Sequence, residues 1–224
     1  MSDPIASLPP PPELTARRVD ALPAPDGDVA KPPWRDAVRV RFDHDWSGVR
    51  HPDAPTEVAV AWTPSAVGFA FSCRYDALHL FAGEDPALER WEMWTRDVAE
   101  VFLNVAPGQA DRYFELEVAP TNQWIDLAID LRRTPRHDAG WSSGFAHATR
   151  VDAAARVWTC EMRVPLAALG IETLRPGDAW RVGLYRCDGG AAGAPRRYLA
   201  WSPTGTPAPD FHVPHRFGWL RFAA

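Results

Sequence analysis

Apolar and polar positions alternate in short bursts along most of this chain. From Trp34 onward the bursts are VRVRF (38–42), TEVAVAW (56–62), VGFAFSCR (67–74), DVAEVFLNV (97–105) and DRYFELEV (111–118). They continue as QWIDLAIDL (123–131), RVWTCEMRV (156–164), AWRVGLYRC (179–187), RRYLAW (196–201) and FGWLRF (217–222). Each is rich in β-branched or aromatic residues, and Gly, Pro, Asn or Asp separates it from the next, which is the pattern of strands and turns. PLAALG (165–170) reads as a helical turn, with proline at its start and glycine at its end. About ten strands with almost no helix predict an all-β, antiparallel β-sandwich over residues 34–224. Residues 1–33 carry Pro9 to Pro12, Pro23, Pro25, Pro32 and Pro33. Proline fixes φ and removes an amide donor, so this stretch is expected to be a disordered or extended arm, or one docked over a sheet edge.

The central strands can be paired from their turns. APGQ (106–109) and APTN (119–122) separate 97–105, 111–118 and 123–131. Keeping aliphatic faces together puts Leu103 opposite Phe114 and Val101 opposite Leu116, then Val118 opposite Gln123 and Leu116 opposite Ile125. The other face then brings Glu100 opposite Glu117 and Phe102 opposite Glu115, and it sets Trp124 beside Glu117 and Asp126 beside Glu115. Tyr113, Asn104 and Asp130 complete it. Like charges facing each other cost roughly 0.2–1 kcal/mol, so this face calls for a cation, an arginine or a ligand. Aromatic rings among carboxylates suit a sugar, whose C–H faces stack while its hydroxyls donate.

Eleven tryptophans are an unusual number; some belong to the core, and so many make an aromatic ligand surface plausible. The formal charge of -5 gives no electrostatic case for nucleic acid or an anionic membrane. No apolar run approaches the ~18 residues of a spanning helix. The first residues lack the basic-then-apolar pattern of a signal peptide. Cys73, Cys160 and Cys187 are odd in number and far apart, which suits free buried thiols and leans toward an intracellular setting.

Several motifs fail on inspection. GWSSG (140–144) matches G-x-S-x-G but lacks a preceding strand and a following helix. FHVPH (211–215) offers two histidines without further zinc ligands, so hydrogen-bonding loop histidines are the better reading. There is no C-x-x-C pair, H-E-x-x-H or P-loop. Glu100 and Glu117 stand at a spacing compatible with a glycosidase pair, an arrangement that strand alternation also generates on its own. Calcium, as a structural ion, has candidate ligands in DHD (43–45), HPDAP (51–55) and GED (83–85).

WTRDVAEVFLN, YFELEVAP and NQWIDLAID together resemble the central block of family 9 carbohydrate-binding modules. WTCEMRVPLAALG, PGDAWRVGLYRCDG, YLAWSPT and FHVPHRFGWLRF resemble the C-terminal half of family-9-like proteins, and the likeness spans roughly residues 35 to 222. The resemblance implies a β-sandwich, often with bound calcium, that holds a terminal sugar between two tryptophans and commonly accompanies polysaccharide-degrading, secreted enzymes. By position Trp94 resembles the first stacking ring, Glu100 the acidic partner and Trp201 the second ring. The sequence departs from the family pattern at Glu117 and Ala119, where arginine and asparagine are expected. The candidate carbohydrate site is therefore Trp94, Glu100, Tyr113, Glu117, Trp124 and Trp201, with no catalytic residue assigned. Trp91 is read as core or loop packing, and Trp62, Trp158, Trp180 and Trp219 as core or its edges. The expected function is non-catalytic binding of a mono-, oligo- or polysaccharide, with a glycoside hydrolase as the natural partner. The alternatives are a haem-binding redox module using Met93 or Met162 with a histidine, and a glycosidase using Glu100 and Glu117.

Overall fold

The computed structural model describes residues 8–81, 83, 85–86, 88–138, 140–189 and 193–224. Among these residues thirteen strands form in chain order. They are β1 (Glu13–Arg18), β2 (Arg39–Phe42), β3 (Thr56–Thr63), β4 (Ala66–Arg74), β5 (Val98–Asn104), β6 (Arg112–Val118) and β7 (Trp124–Asp130). Then come β8 (His137–Asp138), β9 (Ala146–Asp152), β10 (Val157–Pro165), β11 (Ala179–Asp188), β12 (Arg197–Ala200) and β13 (Gly218–Ala223). The path of hydrogen-bonded neighbours is β8-β7-β6-β5-β11-β13-β1-β3-β4-β10-β9, with β12 beside β11 and β2 beside β3. This sheet curls so that β5, β6 and β11 face β3, β4 and β10, giving the expected all-β sandwich. The PLAALG turn forms as a short 3-10 helix, Leu166–Leu169, ended by Gly170 at φ 73°.

Between the two halves lies the main core. Ala99, Val101, Leu103, Leu116, Val118, Val182 and Leu184 on one side meet Val58, Val60, Trp62, Phe69, Phe71, Trp158 and Met162 on the other. These are the alternate, inward positions of their strands. The Trp62 indole N–H donates to Ala16 O at 3.2 Å and Ala223 O at 3.0 Å, fastening β3 to the two strands beyond it.

The proline-rich arm is extended where it is described. Its β1 pairs in parallel with both β13 and β3, so it joins the two halves of the sheet instead of lying along an edge. Leu14 and Ala16 point into the main core. Past β1 the chain crosses the outer face of β3 and β4, where Leu22 and Trp34 pack on Ala59, Ala61 and Ala70. Gly68 makes room for this, because a Cβ there would lie 2.6 Å from the Trp34 ring. A single buried carboxylate, Glu161 on β10, gathers the segment. It accepts Asp26 N at 2.8 Å, Gly27 N at 2.7 Å, Lys31 Nζ at 3.2 Å and Trp34 Nε1 at 2.5 Å.

Hydrogen bonds to a charged group each contribute about 1.5–3 kcal/mol. Glu161→Gln keeps the shape but removes the charge and turns one acceptor into a donor facing donors. It is expected to lower unfolding stability by about 1–3 kcal/mol and to speed proteolysis within residues 20–37. Urea titration and timed digestion check this, and an unchanged midpoint would show that the carboxylate does not hold the arm.

Candidate functional site

Every residue of β5 is buried, because the face of β5, β6, β7 and β11 turned away from the main core is covered too. A second cluster lies there, built from Met93, Val98, Phe102, Tyr113, Ile125, Leu127, Ile129, Tyr185, Phe211 and Phe217. Loops supply the cover. Asp97, wholly buried, accepts His79 N at 2.6 Å and Gly189 N at 3.1 Å, tying two of them together. Met93 anchors the 3-10 turn Met93–Thr95 from below, which leaves Trp94 half-buried at the surface. Arg196 donates to the Trp94 carbonyl at 3.2 Å and the Arg96 carbonyl at 2.6 Å and holds the turn down.

A cavity of about 280 Å³ opens within this cover. Its floor is Glu100, Glu115 and Glu117, and its walls include Trp94, Phe102, Tyr198, Phe211 and His212. Glu100 and Glu117 are direct cross-strand partners on β5 and β6, and Phe102 faces Glu115, as their alternation predicts. Trp94, Glu115 and His212 also border a neighbouring cavity of about 190 Å³, whose other walls include Trp91 and His137. The Trp91 and Trp94 rings meet edge to face with centroids 5.2 Å apart.

The three floor carboxylates are nearly without solvent contact, at 2%, 3% and 0% exposure for Glu100, Glu115 and Glu117. The Cys187 thiol donates to Glu100 Oε1 at 3.0 Å. Neither oxygen of Glu117, nor Oε2 of Glu115, has a hydrogen-bond partner. Burial, and then the charge of Glu115, pushes the Glu100 carboxyl up to about 8. Burial, and then the charges of Glu100 and Glu115, holds Glu117 well above the usual carboxylate range. His212 is set by Tyr113, whose hydroxyl lies 2.6 Å from its Nδ1 and whose ring stacks on Phe102 at 5.6 Å. Burial raises the Tyr113 phenol too, so it stays protonated as a positioning group.

Of the expected site residues, the structure brings Trp94, Glu100 and Glu117 to this cavity and places Tyr113 directly behind it. Two placements need correction. Trp124 pairs with Val118, not with Glu117, so it lies on the main-core face against Phe145 and His147. The β6–β7 loop holds five residues, 119–123, with Asn122 at φ 66°, where a four-residue turn was expected. That one-residue difference exchanges the faces of β7, so Ile125, Leu127 and Ile129 face the cavity side and Asp126 faces away. Trp201 follows Leu199 into the main core, packed so closely on Gly218 that a Cβ there would lie 2.3 Å from its ring. Alternation along β12 instead turns Tyr198 toward the cavity. Glu115, Phe211 and His212 also stand at the site, and Glu115 was legible as the same-face neighbour of Glu117.

Other sequence candidates have structural employment. Ser143 of GWSSG is buried and its amide donates to Asp126 Oδ2 at 2.6 Å, which locks a loop onto β7. Met93 and Met162 are both buried and belong to different clusters. In the acidic loop, Asp43 takes Arg50 Nε at 3.0 Å and Nη2 at 2.5 Å. Asp45 accepts Ser47 N at 2.9 Å and Oγ at 2.7 Å, accepts Val49 N at 3.1 Å, and faces His51 Nε2 at 3.0 Å. Asp53 pairs with Arg197. These oxygens serve protein donors, with a guanidinium where a cation would stand, and do not fit a calcium ion. Glu84 of GED lies outside the described residues. Cys73, Cys160 and Cys187 are free, buried thiols. Among the described residues no helix is long and apolar enough to cross a membrane.

No protein-family model and no curated protein matches the sequence. Solved structures do match. A proposed carbohydrate-binding protein from Bacteroides uniformis superposes with a TM-score of 0.75 at 18% identity, over 95% of this chain and 99% of that one. A family 9 carbohydrate-binding module from Caldicellulosiruptor kristjanssonii, solved with cellotriose, gives 0.67 at 15% identity over 95% and 94%. The same description solved with glucose gives 0.66 at 16% over 95% and 96%. The chain thus has the fold of the family 9 carbohydrate-binding modules.

Proposed function

We propose that this chain is a non-catalytic carbohydrate-binding domain that holds the end of a glycan in the cavity between Trp94 and Tyr198. The observation that carries this reading is one cavity in which aromatic walls stand over buried glutamate acceptors. A pyranose presents the matching surfaces, an apolar C–H face for the rings and hydroxyl donors for the carboxyl oxygens. A volume of about 280 Å³ is at the small end of ligand pockets, which suits a terminal sugar unit more than the middle of a polymer. The sugar-bound modules of the same fold support the choice of ligand class. In this reading the natural partner is an enzyme that degrades the polysaccharide.

Calorimetry with glucose and with cello-, xylo- and manno-oligosaccharides tests the proposal. Micromolar-to-millimolar binding of one of them is expected, weakened at least tenfold by Trp94→Ala or Tyr198→Ala. Trp124→Phe, on the other face, should change affinity less than twofold. Flat titrations with every sugar would remove the carbohydrate reading.

The same burial makes stability depend on pH. Glu100 has a folded pKa near 8 against an ordinary 4.5, and Glu117 is shifted the same way. A carboxyl whose pKa is raised by folding favours the native state fully below its unfolded value. The contribution is lost as pH rises through the folded value. In chelator-containing buffer the melting temperature should therefore fall between about pH 5 and pH 8.5, and Glu117→Gln should flatten that decline. A wild-type profile no steeper than the variant's would show that the carboxylates are not strained.

A further inference from the structure

We propose that the glutamate floor of the cavity is a binding site for a hard divalent cation, calcium before magnesium. Glu100, Glu115 and Glu117 each offer one oxygen, and the three oxygens lie within 4.8 Å of one another. A calcium ion with oxygens at about 2.3–2.6 Å spans such a set, whereas magnesium asks for a tighter shell at about 2.0–2.1 Å. The arrangement is built into the sheet. Glu100 and Glu117 are cross-strand partners, and Glu115 is the next residue along β6 on the same face.

A second observation makes the cluster more than a group of acids. Glu117 is wholly buried and lines the cavity, and its oxygens meet no donor beyond the neighbouring Glu115 carboxyl, whose Oε2 is likewise without another partner. Unsatisfied buried acceptors are destabilising unless something occupies the space before them. The protein supplies little. The Cys187 thiol reaches Glu100 alone, and Arg196, the basic side chain acting on Glu100 from a distance, gives its Nη2 to the Trp94 and Arg96 carbonyls while its buried Nε meets no acceptor, the floor carboxylates included. Trp94, Phe102, Tyr198, Phe211 and His212 wall the cavity, and the floor oxygens of Glu117 take no hydrogen bond from any of them. An all-oxygen, carboxylate donor set selects a hard cation over zinc or copper. Three carboxylates also leave part of a six-to-eight-oxygen calcium shell open toward the cavity. Water would fill that part in the sugar-free protein. Where the carbohydrate reading holds, two sugar hydroxyls would take the place of that water.

The test uses the full chain stripped with EDTA and then titrated with calcium and with magnesium in the absence of sugar. Terbium serves as a luminescent probe excited through Trp94. The expected result is one saturable calcium site per chain, magnesium binding at least tenfold weaker, and terbium emission that calcium displaces. Glu117→Gln should weaken calcium at least tenfold, while Asp43→Asn in the acidic loop leaves the affinity within twofold. Circular dichroism of each variant confirms that its fold is kept. Absence of saturable calcium or terbium binding, or equal calcium affinity in Glu117→Gln, would overturn the inference. So would glucosamine binding that is undiminished by EDTA and abolished by Glu117→Gln, because the floor would then be serving an ammonium group. Because the metal titrations contain no sugar, they fail separately from the carbohydrate experiment. Calcium uptake without affinity for any sugar would uphold the cation site and remove the carbohydrate reading.

Discussion

An antiparallel strand normally spends alternate positions on water, and β5 has none to spend. With all seven of its residues buried, the side chains left over from the main core must be packed or paired in their own right. Val98 and Phe102 are packed in the outer cluster. Glu100 can be neither packed nor solvated, and its cross-strand neighbour Glu117 compounds the difficulty. The loops that cover this face, the ties through Asp97 and Arg196, and the aromatic walls all surround a polar floor that the fold leaves incompletely satisfied. Buried acceptors without donors call for an explanation of their own.

The opposite outer face shows how the same chain treats a buried carboxylate that is purely structural. Glu161 has the burial of Glu100, but four donors converge on it from residues 26–34. It closes the arm over β3 and β4. The contrast between Glu161, met by four donors of its own chain, and Glu117, beside which only the Glu115 carboxyl stands, sets the two buried acids apart more clearly than burial alone.

Much of this arrangement was legible in the sequence. Alternation placed Glu100 opposite Glu117 and Phe102 opposite Glu115, and Pro165 with Gly170 marked one of the four short 3-10 turns among the described residues. The rest was hidden for physical reasons. In β7, Ile125, Leu127 and Ile129 look like the core face of a one-sided sheet, but this sheet is covered on both sides, so hydrophobicity does not say which core they enter. The loop length decided it, through a left-handed Asn122 that APTN does not announce. β1 escaped notice because its partners, β13 and β3, are distant in sequence and parallel, so no turn signals the pairing. Trp201 was placed at the site by its resemblance to the family's second stacking ring, while its alternation with Leu199 assigns it to the core and Tyr198 to the cavity.

The floor geometry also favours the proposed holding of a sugar by the two facing glutamates over its cleavage. Hydrolysis needs two carboxyls flanking the scissile bond, one held protonated as the acid and the other left ionised as nucleophile or base. Such roles arise when environments push two pKa values apart. Here Glu100 and Glu117 lie side by side on one wall, and burial pushes both in the same direction. With protons on them, neither is a free nucleophile; with a cation across them, neither can donate a proton. In both states the pair can hold hydroxyl groups in place, and in neither does it divide the labour that bond cleavage requires.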